Sequence, residues 1–264
     1  MEWILAVAAY IIIGIAAGIL GGLLGIGGGV ITVPCLYYAF YLLDYPHVYL
    51  MHLAIGTSLA AMIMNTAAST WAHNKRGGVL WDVFKRMAPG FFMGSILGAI
   101  LVQWLPERGL MIFFGIFLCA LAINFWRKAP VIEEPNRLPK TPLLLVWGSA
   151  IGCISNILGI GGGTLIVPFL TAFKVPAKKA IGTSAVCSFL ITSIGALSYL
   201  FLGLRDVHLP EDVGYIDLPA FITVGIVSFI MAPIGAKWAH ELPVSRIRKI
   251  FAFVLVATGV SMMV

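Results

Sequence analysis

Four glycines occupy five consecutive positions, Gly25, Gly27, Gly28 and Gly29, within Leu24–Pro34 (LGIGGGVITVP). The same string returns at Leu158–Pro168 (LGIGGGTLIVP) with Gly159, Gly161, Gly162 and Gly163. Glycine costs about 1 kcal/mol against alanine inside a helix, so such a cluster breaks one. It also leaves backbone N–H groups open to a ligand. The apolar run that follows each cluster can start a new helix, whose N-terminus attracts anions. One copy alone reads as close helix packing through small residues. Two copies in corresponding places favour a site where the breaks meet. The spacing is not that of a dinucleotide fingerprint, and no βαβ pattern surrounds it.

A second motif follows each glycine cluster: Ala54-Ile55-Gly56-Thr57-Ser58 and Ala180-Ile181-Gly182-Thr183-Ser184. The hydroxyls of Thr57, Ser58, Thr183 and Ser184 can cap a helix and donate into the same cavity. They can equally bond back to their own helix. Superposing the two copies sets His52 opposite Lys178, with Lys179 next. A cation there opposes the helix dipole unless an anion lies between. Snorkelling at the interface is the simpler reading for the lysines; for His52 both readings stay open. Asn156, three residues before Gly159, can point into the cavity, and so can Asn65.

What is missing narrows the chemistry. No apolar run contains Asp or Glu, and the five histidines include no HxxxH pair. Intramembrane carboxylates usually mark cation and proton pathways. The chain is therefore expected to have no catalytic residues, no resident metal and no cofactor, and not to be an enzyme. The four cysteines form no CxxC pair and read as small buried thiols.

The elements that must position these residues are membrane helices. The chain of 264 residues is 60% hydrophobic and 11% charged, against about 25% charged in soluble domains. Charge-free stretches, among them 3–43, 45–74, 141–173 and 180–204, exceed the roughly 18 residues that cross a bilayer. Ten apolar segments are expected, at about 3–23, 30–43, 50–72, 87–106, 109–126, 141–158, 164–173, 180–204, 218–240 and 249–264. Those at 30–43 and 164–173 are too short to cross straight and read as half-helices or return arms of hairpins. The first segment, preceded only by Glu2, is read as mature fold and not as a signal peptide. Net charge is +6, carried in loops without a basic face, so nucleic acid is not expected as a partner.

Residues 1–127 form a first repeat, 128–140 a charged, proline-containing linker, and 141–264 a second repeat. Basic loops at 73–86, 127–140 and 241–249 are assigned to the cytoplasm, and the acidic loop 205–217 to the outside. The first-half counterpart of loop 205–217 is the basic loop 73–86. The halves are therefore expected to be inverted, with both termini outside. The fold class expected is all-α, polytopic, with glycine-broken half-helices. A homodimer is left open.

The doubled LGIGGG motif ending in proline, each followed by AIGTS, resembles the sulfite exporter TauE/SafE family of anion permeases across nearly the whole chain. The resemblance implies a multi-pass cell-membrane protein moving sulfite or small organosulfonates such as sulfoacetate. It implies a site made of glycines 25, 27, 28, 29, 159, 161, 162 and 163, joined by Thr57, Ser58, Thr183 and Ser184. An exporter working by alternating access is expected; an uptake permease or a passive channel for the same anions is the alternative. One departure is visible: 21 residues separate Pro34 from Gly56, but 13 separate Pro168 from Gly182.

Overall fold

The computed structural model describes residues 2–24, 27–126, 138–204, 212–241 and 244–263. Gly25 and most of the 128–140 linker lie outside the described residues. Ten α-helices are described: α1 (Glu2–Leu24), α2 (Gly29–Leu42), α3 (Leu50–Lys75), α4 (Trp81–Val102), α5 (Glu107–Trp126), α6 (Thr141–Leu158), α7 (Gly163–Ala172), α8 (Ala177–Gly203), α9 (Leu218–Glu241) and α10 (Val244–Met263). They match the ten apolar segments, because in lipid a helix satisfies every backbone group from within. Six of them are long and apolar enough to cross a membrane. The extra length between Pro34 and Gly56 is used in α2, which has 14 residues against 10 in α7, and in the loop that follows.

The first helix of each half packs against the fourth helix of the other half: α1 on α9, and α6 on α4. Small residues four apart let the backbones touch. Gly90, Gly94 and Gly98 of α4 face Leu145, Ser149 and Cys153 of α6, so the two helices run parallel. Gly14 and Gly18 of α1 meet Val227 and Met231 of α9 in the same sense. A Cβ on Gly18 would lie 2.7 Å from Ser228 O, which leaves no room for a larger residue.

The corresponding helices α3 and α8 cross at the centre and run antiparallel. Gly56 near the start of α3 faces Tyr199 near the end of α8, and Gly182 near the start of α8 faces Gly78 just beyond α3. Helix α3 is buried on nearly every side, with His52, Thr57, Ser58, Asn65, Thr66, Ser69 and His73 all inside. Large apolar side chains such as Ile4, Ile12, Phe92, Met93 and Phe201 are exposed on the outside of the bundle, the face lipid would cover.

The two ends of the bundle differ in charge. One end gathers Asp44, Glu107 and Asp217, through contacts of Tyr45 with Asp217 and of Met51 and His52 with Glu107. The other joins the α3–α4 turn, with Lys75 and Arg76, to the start of α8, with Lys178 and Lys179.

Candidate functional site

Each glycine motif is a real break. Gly27 and Gly28 have φ of 75° and 88°, and their counterparts Gly161 and Gly162 have 69° and 81°. This left-handed backbone is open to glycine and strained for other residues. Gly28 and Gly162 stand at the N-caps of α2 and α7, and neither helix start has a side-chain cap. The first N–H groups of a helix have no partner within it, so both starts present unpaired donors and a positive dipole end.

The two breaks meet. A Cβ on Gly29 would stand 2.5 Å from Gly159 O and 2.8 Å from the Ile160 Cα. Residues 130 positions apart are thus in backbone contact at the crossing of α3 and α8. Ser58 donates to Gly159 O at 3.2 Å, fixing α3 of one half to the break of the other. Asn65 donates to Gly27 O at 3.2 Å and to Ala17 O at 3.1 Å, fixing the first break.

The helices that meet here, α3, α6, α7 and α8, hold buried polar atoms that the protein does not satisfy. Ser155 Oγ, Thr164 Oγ1, Ser188 Oγ, Asn65 Oδ1 and both amide atoms of Asn156 are buried with no hydrogen-bond partner. Ser155 Oγ would be 3.4 Å from a Cβ on Gly162, so it faces the second break. A buried polar group without a partner costs about 1–3 kcal/mol, so such a concentration calls for a polar guest.

The other expected residues fall into distinct places. Thr57 Oγ1 accepts from Asp217 N at 2.9 Å, and Thr183 Oγ1 accepts from Leu80 N at 2.9 Å. These paired struts tie α3 and α8 to the starts of α9 and α4. Ser184 donates to Ile181 O within its own helix. His52 is buried away from solvent, with Nε2 3.3 Å from Val102 O and Nδ1 3.7 Å from Glu107 Oε2. Lys178 is exposed at the opposite end. The structure therefore joins Gly27, Gly28, Gly29, Ser58, Gly159, Gly161, Gly162 and Gly163; it sets the Asn156 amide against Gly195 of α8, gives Thr57, Thr183, Ser184 and His52 other contacts, and leaves Lys178 exposed.

Sequence reasoning passed over Ser155, Ser188, Thr164 and Met62. The signal was one helical turn: Ser155 precedes Gly159 by four residues, and Met62 and Ser188 follow Ser58 and Ser184 by four. Asp217, read as a loop charge, is fully buried as the cap of α9, accepting from Ala220 N at 2.7 Å and Tyr45 OH at 2.9 Å. The four cysteines are free. Among the described residues no group of His, Cys, Asp and Glu could hold a metal ion.

A bundle of long apolar helices enclosing two broken ones around buried polar groups defines a multi-pass membrane transporter. Comparisons with known proteins agree with that class. The family model described as sulfite exporter TauE/SafE matches residues 10–262. A probable membrane transporter protein of Haemophilus influenzae is 35% identical over 256 residues, covering 96% of each chain. One from Methanocaldococcus jannaschii is 30% identical over 264 residues, covering 99% of this chain and 97% of its own. No solved structure matches. The chain belongs to the sulfite exporter TauE/SafE family and is a multi-pass protein of the cell membrane.

Proposed function

We propose that this transporter carries a small sulfur-containing anion, sulfite or a short organosulfonate, bound where the two glycine breaks meet. The observation that carries the reading is the pair of uncapped helix starts, with the start of α2 in backbone contact with the break that leads into α7, on helices that hold buried polar atoms without partners. Helix-start N–H groups would take the oxyanion, with the hydroxyls of Ser155 and Ser188 and the amide nitrogen of Asn156 completing its shell. Backbone donors suit an anion because they replace its hydration without a fixed cation that would hold it too tightly.

The halves are proposed to be inverted repeats that rock about the α3–α8 crossing. Two features support this: α3 and α8 run antiparallel, and α1 and α6 each pack on the fourth helix of the opposite half. The basic end then faces the cytoplasm. A membrane potential drives an anion outward by about 2.3 kcal/mol per charge per 100 mV, which favours export. Lys178, exposed at the basic end, would attract the anion without touching it at the breaks, and His52 would serve the outer end through Glu107.

Purified protein titrated with sulfite, sulfoacetate, taurine and sulfate should bind one or more of the sulfur anions. Proteoliposomes preloaded with that anion should show saturable counterflow. Failure of all four to bind overturns the reading; non-saturable flux would make the protein a channel.

A further inference from the structure

Several apolar side chains lie against the glycines of the breaks, among them Val33, Ile55, Ile166 and Ile191, and one further residue reaches both motifs. Met62, buried on α3, reaches glycines of both motifs. Its Cε lies against Gly27 and Gly161, and its Sδ is 2.6 Å from where a Cβ of Gly29 would stand. Ser58 Oγ is 3.7 Å from the same sulfur.

The neighbours of Met62 obey the repeat, but Met62 itself does not. Thr66 Cγ2 lies 3.3 Å from the Cβ direction of Gly27, and its counterpart Thr192 Cγ2 lies 2.9 Å from that of Gly161. Superposing the AIGTS copies sets Met62 opposite Ser188, whose hydroxyl is buried without a partner. At this one pair of matched positions, one half therefore offers a hydroxyl and the other a thioether. A thioether offers no hydrogen-bond donor, yet it is polarizable, unbranched and has three rotatable bonds. It can swing aside and lie against carbon. It cannot replace the hydration of an oxyanion.

We propose that Met62 is the specificity-determining residue of this anion site. It sits where the carbon end of a sulfonate would lie, and it sets the length of organic group accepted. The preferred substrate class is then a compact alkanesulfonate of one or two carbons, with its oxyanion on the helix starts and its carbon end on the Met62 thioether. The inference rests on the anion site proposed above and adds its shape.

The test is equilibrium binding of methane-, ethane-, propane- and butanesulfonate to purified protein. These probes stay fully ionised near neutral pH, whereas sulfite does not. In the unmodified protein, affinity should fall at least tenfold between ethane- and butanesulfonate. Met62→Ala should abolish that fall and raise butanesulfonate affinity about tenfold, since a hydrophobic pocket discriminates one methylene by roughly 10–200-fold. Met62→Leu, close in volume, should keep the fall. A flat series in the unmodified protein overturns the proposal even if Met62→Ala does not fold. So does a folded Met62→Ala protein that binds methanesulfonate and discriminates chain length as before. If no sulfonate binds the unmodified protein while sulfite does, the anion site stands and the role of Met62 is refuted; if sulfite fails as well, both fall.

Discussion

Gly29→Ala probes the contact between the two breaks with the smallest possible change. Gly29 begins α2 and has no positive φ, so the backbone itself would accept alanine. Helix propensity even favours the change by up to about 1 kcal/mol. The added Cβ, however, would stand 2.5 Å from Gly159 O, 2.8 Å from Ile160 Cα and 2.6 Å from Met62 Sδ. The thioether can move, but the backbone of the second break can do so only if the motifs separate. Overpacking of this kind costs about 1–3 kcal/mol, and a backbone neighbour places it at the upper end. The net loss should be about 1–2 kcal/mol, or a fall in melting temperature of roughly 2–8 °C at about 2–4 °C per kcal/mol. Because separation moves both helix starts away from a shared anion, affinity should fall by at least about tenfold, equivalent to about 1.4 kcal/mol. Thermal unfolding in detergent and titration with methanesulfonate would measure both. Gly109→Ala is the control: its Cβ would meet only the Pro106 ring, at 3.3 Å, and stability should hold or rise. A Gly29→Ala protein with unchanged melting temperature and affinity would refute the contact between the breaks.

Further outcomes are expected elsewhere. Thr57→Val and Thr183→Val should each destabilise by about 1–3 kcal/mol in unfolding experiments, because Asp217 N and Leu80 N lose their acceptors. Tyr45→Phe should cost about 1.5–3 kcal/mol, the range for a hydrogen bond to a charged group, here the Asp217 carboxylate at 2.9 Å. Burial and that carboxylate hold the Tyr45 phenol above its ordinary value of 10.0. The resulting stability is present below pH 10 and is lost as pH rises above it, so alkaline unfolding should begin later in Tyr45→Phe, relative to its own neutral stability, than in the unmodified protein. Cysteines replacing Val48 and Trp104 should react with impermeant reagents from outside intact cells, and cysteines replacing Lys75 and Lys179 should not; labelling of all four from one side would remove the inverted repeat.

The sequence made the helices legible for a simple reason: lipid forbids charge, so a charge-free run holds one helix, or two where glycines break it, and a cluster of charge marks an end. The breaks were equally plain, because glycine clusters have few other uses in such a chain. Helix partners were hidden. Gly90, Gly94 and Gly98 announce a close contact, but nothing in their spacing names α6. Equivalence between the halves also misled at single residues. His52 and Lys178 occupy matching places, yet one is buried beside Glu107 and the other is exposed. Their surroundings differ because the longer loop before α3 brings Tyr45 and Tyr49 over that end of the bundle, where Tyr45 meets Asp217 and Tyr49 meets Tyr215. Asp217 looked like a solvated loop charge because its cap, its tyrosine and Thr57 come from three separate stretches of chain. Met62 looked like filler, as methionine does in any apolar run.

A structure solved with 2-bromoethanesulfonate bound tests the central claim most directly, since the anomalous signal of bromine marks the carbon end of the ligand. The account predicts the sulfonate oxygens at the starts of α2 and α7, in contact with both Gly28 and Gly162, and the bromine against Met62. Bromine bound elsewhere in the bundle, or a ligand touching one glycine motif and not the other, would contradict it.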